Sequence, residues 1–212
     1  MASLCRAYRG GRLLAPLVLA LLLAGCSFAG SGPPHSHFAS FKTPPPQGRT
    51  VTICSAYGCK TKTPFTFMPS DLGAIDAIMR HVRRADTASE ERRAVAHAIG
   101  WIENRVGRAT GTDTDRKSID FLGSGDPTQQ DCVDEATNTT SYLMVLADIG
   151  LLRHHRVVAP MSKGVLIDGR WPHYFAVVQE KGSDRKFAMD TFVGPNGAPP
   201  AVVPAEEYYG PG

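Results

Sequence analysis

Hydrophobic residues recur at helical spacing in three stretches of the chain. The first predicted helix begins at Pro69, the second spans Thr87–Gly107, and the third spans about Asp131–Gly150. A glutamate three residues into the second helix completes the pattern of a capping box. Residues 108–130 are rich in glycine and aspartate, and we expect them to form a loop.

The pattern changes to short runs of β-branched and aromatic residues after the third helix. We predict strands at Val51–Ile53 before the helices and at Val157–Ala159, Val165–Ile167, Tyr174–Val178 and Phe187–Met189 after them. Helices followed by antiparallel strands indicate an α+β domain. The chain has 212 residues, which is enough for one such domain with a substantial core.

The first 25 residues have the pattern of a secretory signal peptide. Three arginines precede the apolar stretch Leu13–Leu23, and small residues follow it. The tetrapeptide Leu23–Cys26 resembles the bacterial lipobox, in which the cysteine becomes the lipidated first residue of the mature protein. We therefore predict a signal peptide over residues 1–25 and a lipid on Cys26, with a plain cleavage site beside a cysteine as the alternative.

Residues 26–50 have the composition of a tether between a lipid anchor and a folded domain that covers residues 51–212. Gly, Ser and Pro are frequent and no apolar period is present, so we expect an extended, solvated segment that exposes His35 and His37. A lipid, a spacer and a domain together indicate an anchored exported protein. Ser27 follows the cysteine, which resembles the signal that directs lipoproteins to the outer membrane, facing the periplasm.

The charge of the chain excludes one class of partner. The chain carries 23 Lys and Arg against 20 Asp and Glu, a formal charge of +3. The signal peptide, with three arginines and no acid, accounts for all of it. The mature protein is therefore neutral and lacks the basic surface that nucleic acid requires. No apolar run reaches 18 residues, so we expect contact with a bilayer through the lipid anchor alone.

Cysteine spacing predicts one disulfide and leaves one thiol over. Cys54 and Cys59 flank a segment with a glycine available for the turn, and export places them in an oxidising compartment, so we predict that they are paired. A zinc site would need two further ligands near them, and the sequence offers none. Cys132 is then unpaired, which makes it an intermolecular partner, a buried structural thiol or a reactive thiol.

Cys132 lies in the first turn of the third helix, directly after the predicted loop. Unpaired backbone amides and the helix dipole stabilise a thiolate at such a position, so we expect the pKa of Cys132 to lie below that of a free thiol. The neighbouring carboxylates of Asp131 and Asp134 raise a thiol pKa instead, and a base is therefore required.

His173 is the candidate base, and Asp190 is the candidate group that orients it. Both lie on a predicted hairpin, in which side chains alternate between the two faces. A two-residue loop places them directly opposite each other, and a four-residue loop makes them diagonal neighbours on one face. A carboxylate beside a histidine selects its tautomer and leaves the other nitrogen for the thiol proton. Taken alone, each has a plainer role, as a strand-end histidine and as part of an Asx turn.

Three segments around these residues resemble the core motifs of the transglutaminase-like superfamily, and within it the exported bacterial transglutaminase-like cysteine proteinases. They are Gln130–Ala136, Trp171–Val178 and Phe187–Thr191. The resemblance covers about residues 87–192. It implies a papain-like α+β fold with the cysteine on a central helix against an antiparallel sheet. It also implies acyl transfer through a thioester, with a catalytic Cys-His-Asp triad.

The resemblance further implies a group that holds the oxyanion and, in some members, a calcium ion. Some superfamily members use a tryptophan, for which Trp101 is a candidate, although its place beside the apolar stripe of the second helix favours a core role. Gln129 and Gln130 are alternative donors. Exported members that bind calcium use acids on both sides of the cysteine. Here Asp131 matches and Val133 does not, so we expect no metal or other cofactor.

The sequence thus predicts an exported, lipid-anchored thiol enzyme that hydrolyses a peptide or isopeptide bond, or transfers the acyl group to an amine. Its substrate would be a protein or a cell-wall peptide. Two alternatives stay open: a non-catalytic envelope lipoprotein that uses the same scaffold as a binding module, and a cell-wall peptide amidase. The binding module is favoured if Cys132 is buried or if His173 points away from it.

Overall fold

The computed structural model describes residues 32–116, 121–164 and 172–208. The signal peptide, Cys26 and the strand predicted at Val165–Ile167 lie outside the described residues. Within the described ranges no helix is long and apolar enough to cross a membrane. The elements in chain order are α1 (His35–Ser40), β1 (Thr50–Ser55), β2 (Thr61–Thr66), α2 (Pro69–Val82), α3 (Ala88–Thr110), a 3-10 turn (Phe121–Gly123), α4 (Cys132–Asp148), β3 (His155–Lys163), β4 (His173–Glu180), β5 (Lys186–Asp190) and β6 (Ala201–Pro204).

The three predicted helices are present as α2, α3 and α4. Thr87 caps α3, because its hydroxyl accepts a hydrogen bond from the Glu90 amide at 3.3 Å. The predicted end of this helix at Gly107 is wrong: α3 continues to Thr110, and Gly111 follows it with a left-handed φ of 85°. Gly107 serves packing instead, since a Cβ there would lie 3.0 Å from the backbone of Asp113.

Strands β3, β4, β5 and β6 form one antiparallel sheet in that order, which confirms the α+β class at the level of helices and an antiparallel sheet. β1 and β2 form a separate antiparallel hairpin ahead of the main helices. Two of these strands have no signal in the hydrophobic pattern. β2 contains Pro64 and few apolar residues, which suits a strand outside the centre of a sheet, and β6 has only four residues.

Helix α4 packs against β3 and β4 on one side and against β1 on another. Its apolar residues Leu143 and Leu146 belong to a core that α2, α3 and the sheet complete. Polar residues of α4 are also buried, among them Thr137, Thr140 and Ser141, whose hydroxyls donate to the carbonyl four residues earlier. The helix that carries Cys132 in its first turn is therefore held on several sides.

The described part of the predicted tether is folded rather than extended. Phe38 in α1 is only 1% exposed. His37 is also buried, and its Nε2 lies 2.8 Å from the Thr137 hydroxyl of α4. His35 is exposed, as we expected. The expectation of a solvated segment is therefore wrong for residues 32–43, because buried aromatic surface outweighs the composition of the segment.

Replacing Phe38 by alanine should lower the free energy of unfolding of the full chain by about 3 kcal/mol, because a buried ring is lost and a cavity remains. Urea unfolding measures the change. The matched control is Ser40→Ala, an exposed position of the same helix, for which we expect a change within about 0.5 kcal/mol. Equal effects of the two substitutions would contradict the packing of α1.

Candidate active site

Cys132 is the first residue of α4, and a capping box fixes its surroundings. The Asp131 carboxylate accepts the amide of Asp134 at 2.9 Å, and the Asp134 carboxylate accepts the amide of Asp131 at 3.2 Å. The amides of Cys132 and Val133 have no acceptor among the described residues. The start of the helix therefore keeps two backbone donors beside the sulfur.

The hairpin of β4 and β5 has the register of the four-residue loop. Val178 pairs with Phe187, and the amide of Glu180 donates to the carbonyl of Arg185 at 2.9 Å. His173 and the residue predicted to orient it are thus diagonal neighbours on one face. His173 Nε2 lies 2.8 Å from Asp190 Oδ2, and both side chains are buried. The predicted contact between the imidazole and the carboxylate is confirmed.

The Asp190 carboxylate is occupied on both oxygens. Oδ2 accepts hydrogen bonds from His173 and from the hydroxyl of Tyr208. Oδ1 accepts the amide of Phe192 at 3.2 Å, which is an Asx turn at the end of β5. The plainer role considered for Asp190 is therefore present together with its contact to the histidine. Three donors hold the carboxylate in one orientation.

The Cys132 sulfur lies next to this pair. It accepts a hydrogen bond from the backbone amide of Tyr174, the residue after His173, and the charge of Asp190 acts on it. No hydrogen bond joins the sulfur to the imidazole, although both side chains belong to the described residues. Since Nε2 binds the carboxylate, Nδ1 is the nitrogen that remains for a proton from the thiol.

Burial raises the pKa of the Cys132 thiol to about 12. The hydrogen bond from the Tyr174 amide lowers it, and the charges of Asp131, Asp190 and Glu135 raise it further. The expectation of a pKa below that of a free thiol is therefore wrong for this arrangement, because Cys132 is only 9% exposed and three carboxylates act on its sulfur. The resting thiol is neutral at pH 7.

Aromatic rings enclose the His173 imidazole. Its centroid lies 5.2 Å from that of Phe192, 6.1 Å from that of Phe175 and 6.3 Å from that of Tyr208. Burial, with the hydrogen bond to Asp190 and its charge, raises the pKa of Tyr208 above its ordinary range, so the phenol remains a donor. Tyr208 stands out in the sequence only as part of a tyrosine pair near the C-terminus, with no signal that links it to Asp190.

A second group of acids interacts electrostatically with the site, in which Asp115 and Glu135 are buried and Glu103 is half-buried. The charges of Glu103 and Asp115 act on each other and on Glu135. Burial raises the pKa of Glu103 to about 8 and that of Asp115 to about 6, and it raises the pKa of Glu135 well above its ordinary value. The group therefore retains protons near neutral pH.

The three candidate oxyanion donors have structural partners. Gln129 Nε2 donates to the Thr114 carbonyl at 3.2 Å, and Gln130 Nε2 donates to the Cys54 carbonyl at 2.9 Å. Trp101 is half-buried and packs against the core, as its position in the sequence favours. An oxyanion role for any of them stays a prediction.

The predicted disulfide between Cys54 and Cys59 is present. Its sulfurs and a carboxylate oxygen of Asp134 lie within 4.8 Å of one another, but disulfide sulfurs are not the thiolates that bind zinc. The calcium site of the resembled family does not fit either. The carboxylates of Asp131 and Asp134 accept backbone amides, and Val133 offers no ligand.

A second buried histidine–carboxylate pair serves a different purpose. His155 Nδ1 lies 2.8 Å from Glu91 Oε1, and the same carboxylate accepts the amides of Arg153, His154 and His155. This pair fastens the start of β3 to α3. A buried imidazole beside a carboxylate is thus not a site by itself, and it is the sulfur beside His173 that distinguishes the first pair.

Comparison of the chain with protein-family models, with curated proteins and with solved structures finds no match in any of the three.

Stability should fall as the pH rises from about 4.5 to about 8, in part because of Glu103. The folded state holds a proton on this carboxyl group up to a pKa of about 8, whereas the unfolded chain releases it near 4.5. Glu103→Gln removes this contribution. We therefore expect the free energy of unfolding, measured by urea unfolding at pH 5, 6.5 and 8, to decline less with pH in this variant than in the wild type. The exposed control Glu207→Gln should keep the wild-type pH dependence, and an unchanged pH dependence in Glu103→Gln would contradict the raised pKa of Glu103.

Proposed function

We propose that this protein is a thiol enzyme of the transglutaminase-like class, which transfers an acyl group through a thioester on Cys132 and most simply hydrolyses a peptide or isopeptide bond. The observation that carries the proposal is the buried pair of His173 and Asp190, 2.8 Å apart, beside a sulfur at the start of a helix. The nucleophile comes from the start of a helix, and the base and the orienting group come from the two strands of one hairpin.

The raised thiol pKa determines how the proton moves. As the Cys132 sulfur attacks the substrate carbonyl, His173 Nδ1 takes the thiol proton, so that no thiolate need exist beforehand. The proton then passes to the amine as the carbon–nitrogen bond breaks, and the acyl group remains on sulfur. Water, deprotonated by the same imidazole, or an amine releases the acyl group. Asp190 stabilises the imidazolium during both steps.

The start of α4 offers donors for the developing oxyanion. The amides of Cys132 and Val133 have no acceptor within residues 32–116, 121–164 and 172–208, and the helix dipole adds a partial positive charge there. Backbone donors of this kind cost no reorganisation during the reaction. The two backbone amides would be supplemented by a side-chain donor only after a change of hydrogen-bond partner at Gln129 or Gln130, or a change of position at Trp101.

The packing of α4 supports a papain-like core as the finer description of the fold. The helix with the cysteine at its first turn lies against an antiparallel sheet, whose second strand begins with the histidine. We assign the roles of nucleophile, base and orienting group in the same order along the chain as in the transglutaminase-like superfamily that the sequence resembles.

We further propose that the protein is a lipoprotein of the outer membrane that faces the periplasm and acts on a protein or a cell-wall peptide. Cys26 would carry the lipid and hold the protein on the bilayer. Only eight residues, 27–34, lie between it and the start of α1 at His35. An extended segment of that length reaches roughly 30 Å, so the folded domain would stay close to the membrane surface.

One observation favours a second candidate function, a non-catalytic binding module on the same scaffold. Cys132 is buried and its thiol pKa is raised to about 12, which are properties of a structural cysteine. In that case the pair of His173 and Asp190 would serve packing, as the pair of His155 and Glu91 does.

Alkylation of Cys132 in the full chain by iodoacetamide separates the two functions. For the enzyme we expect labelling at pH 7–8 that falls at least about tenfold in His173→Ala, because the imidazole no longer takes the thiol proton. Peptide mass spectrometry measures the labelled fraction of Cys132 from pH 5 to 11. His97→Ala, an exposed histidine of α3, is the matched control and should label like the wild type. Labelling that starts only at strongly alkaline pH and ignores His173 would establish the binding module.

A further inference from the structure

The turn that the Cys54–Cys59 disulfide closes has an unusual backbone. Four consecutive residues have left-handed φ angles: 67° at Ala56, 69° at Tyr57, 66° at Gly58 and 57° at Cys59. Only one of the four is a glycine, and side chains disfavour this conformation. Such a turn persists only where its surroundings hold it, so its contacts explain why it exists.

Three successive amides of the turn point at the start of α4. The amides of Tyr57 and Cys59 donate to the two oxygens of Asp134 at 2.8 and 2.5 Å, and the amide of Gly58 donates to Asp131 at 3.0 Å. Consecutive left-handed residues direct their amides into one concave anion site, and here the anions are the capping carboxylates on both sides of Cys132.

The start of the turn is tied to the same helix. The Cys54 amide donates to Asn138 Oδ1 at 2.8 Å, and its carbonyl accepts from Asn138 Nδ2 and from Gln130 Nε2, both at 2.9 Å. The Ala56 amide donates to the Gln129 carbonyl at 2.8 Å. The turn therefore contacts the chain just before Cys132 and again six residues after it.

We propose that this turn is a redox-dependent clamp that positions the Cys132 nucleophile, with Asp131 and Asp134 as positioning residues. The disulfide keeps the turn left-handed, the turn holds the capping carboxylates, and they fix the first turn of α4 against His173. The role of the turn in positioning Cys132 rests on the proposed function as a thiol enzyme. The contacts between the turn and α4, and their dependence on the disulfide, do not rest on that function.

The clamp also compensates charge. Burial and the charge of Asp131 raise the pKa of Asp134 to about 7, while the amides of the turn lower it. Without the donors of the turn, the Asp131 carboxylate, which already raises the thiol pKa of Cys132, would act on the sulfur with less compensation.

Opening the clamp means reducing the Cys54–Cys59 disulfide, which requires a dithiol reductant. The dithiol passes two electrons and two protons to the disulfide, which becomes two thiols, and the dithiol becomes a disulfide. The turn, no longer cross-linked, then relaxes toward ordinary backbone angles and withdraws its amides from Asp131 and Asp134. The proposed clamp is thus closed under oxidising conditions and open under reducing ones.

Hydrogen exchange of the full chain tests the clamp directly. With dithiothreitol, we expect exchange in residues 131–138 to accelerate at least about tenfold, while residues 94–102 in the middle of α3 stay unchanged. Cys54→Ser/Cys59→Ser should behave like the reduced protein, and Asp134→Asn should do so with the disulfide intact. If the double variant does not fold, reduction of the wild type decides. Unchanged exchange in residues 131–138 on reduction would overturn the clamp.

The effect of His173 on Cys132 alkylation tests positioning. We expect the rate ratio of wild type to His173→Ala to be about ten or more with the disulfide, and within about twofold of one in the Cys54→Ser/Cys59→Ser background. Met79→Ala is the matched control, because it leaves a cavity in the core beside α2 and changes no residue of the clamp. This variant should retain the rate ratio. A ratio retained without the disulfide would overturn positioning. A rate ratio near one with the disulfide intact would instead overturn the proposed enzyme. Hydrogen exchange would then still test whether the clamp exists.

Discussion

A buried carboxylate must find donors, and the arrangement around Asp190 follows from that requirement. Its oxygens accept from an imidazole, a phenol and a backbone amide, so neither oxygen faces the apolar rings around it without a partner. The same contacts bring the end of β5, the start of β4 and Tyr208 together. The helix that carries Cys132 then packs against the face on which they meet. The geometry of the candidate site is thus a consequence of one electrostatic constraint.

Local patterns predicted a large part of this arrangement. The glycine- and aspartate-rich loop and the hydrophobic period after it placed Cys132 in the first turn of α4, and alternation along a hairpin placed His173 and Asp190 on one face. The disulfide followed from spacing and compartment. These features depend on neighbours in the chain or on a single short loop, and such information is present in one sequence.

The features that escaped prediction depend on contacts between distant residues. Tyr208 reaches Asp190 through a segment with no periodic signal, and Phe38 is buried although its surroundings in sequence are those of a tether. The thiol pKa was expected to fall because neither the burial of Cys132 nor the charges of Asp190 and Glu135 can be read from the neighbouring residues in sequence. In the folded chain, burial and three carboxylates outweigh the hydrogen bond from the Tyr174 amide and raise the pKa of Cys132. The oxyanion donor, the lipid anchor and the substrate remain predictions from sequence.

The composition of α4 has a consequence for the order of folding. Its middle reads Thr137-Asn138-Thr139-Thr140-Ser141, residues with low intrinsic helix propensity, so we expect the isolated segment to be mostly unstructured in water. The helix gains its stability from the sheet and the hairpin packed around it. A chain that has only partly folded would then lack the ordered segment that aligns the cysteine. The chemistry that we propose would begin only after the sheet and the β1–β2 hairpin have packed against α4.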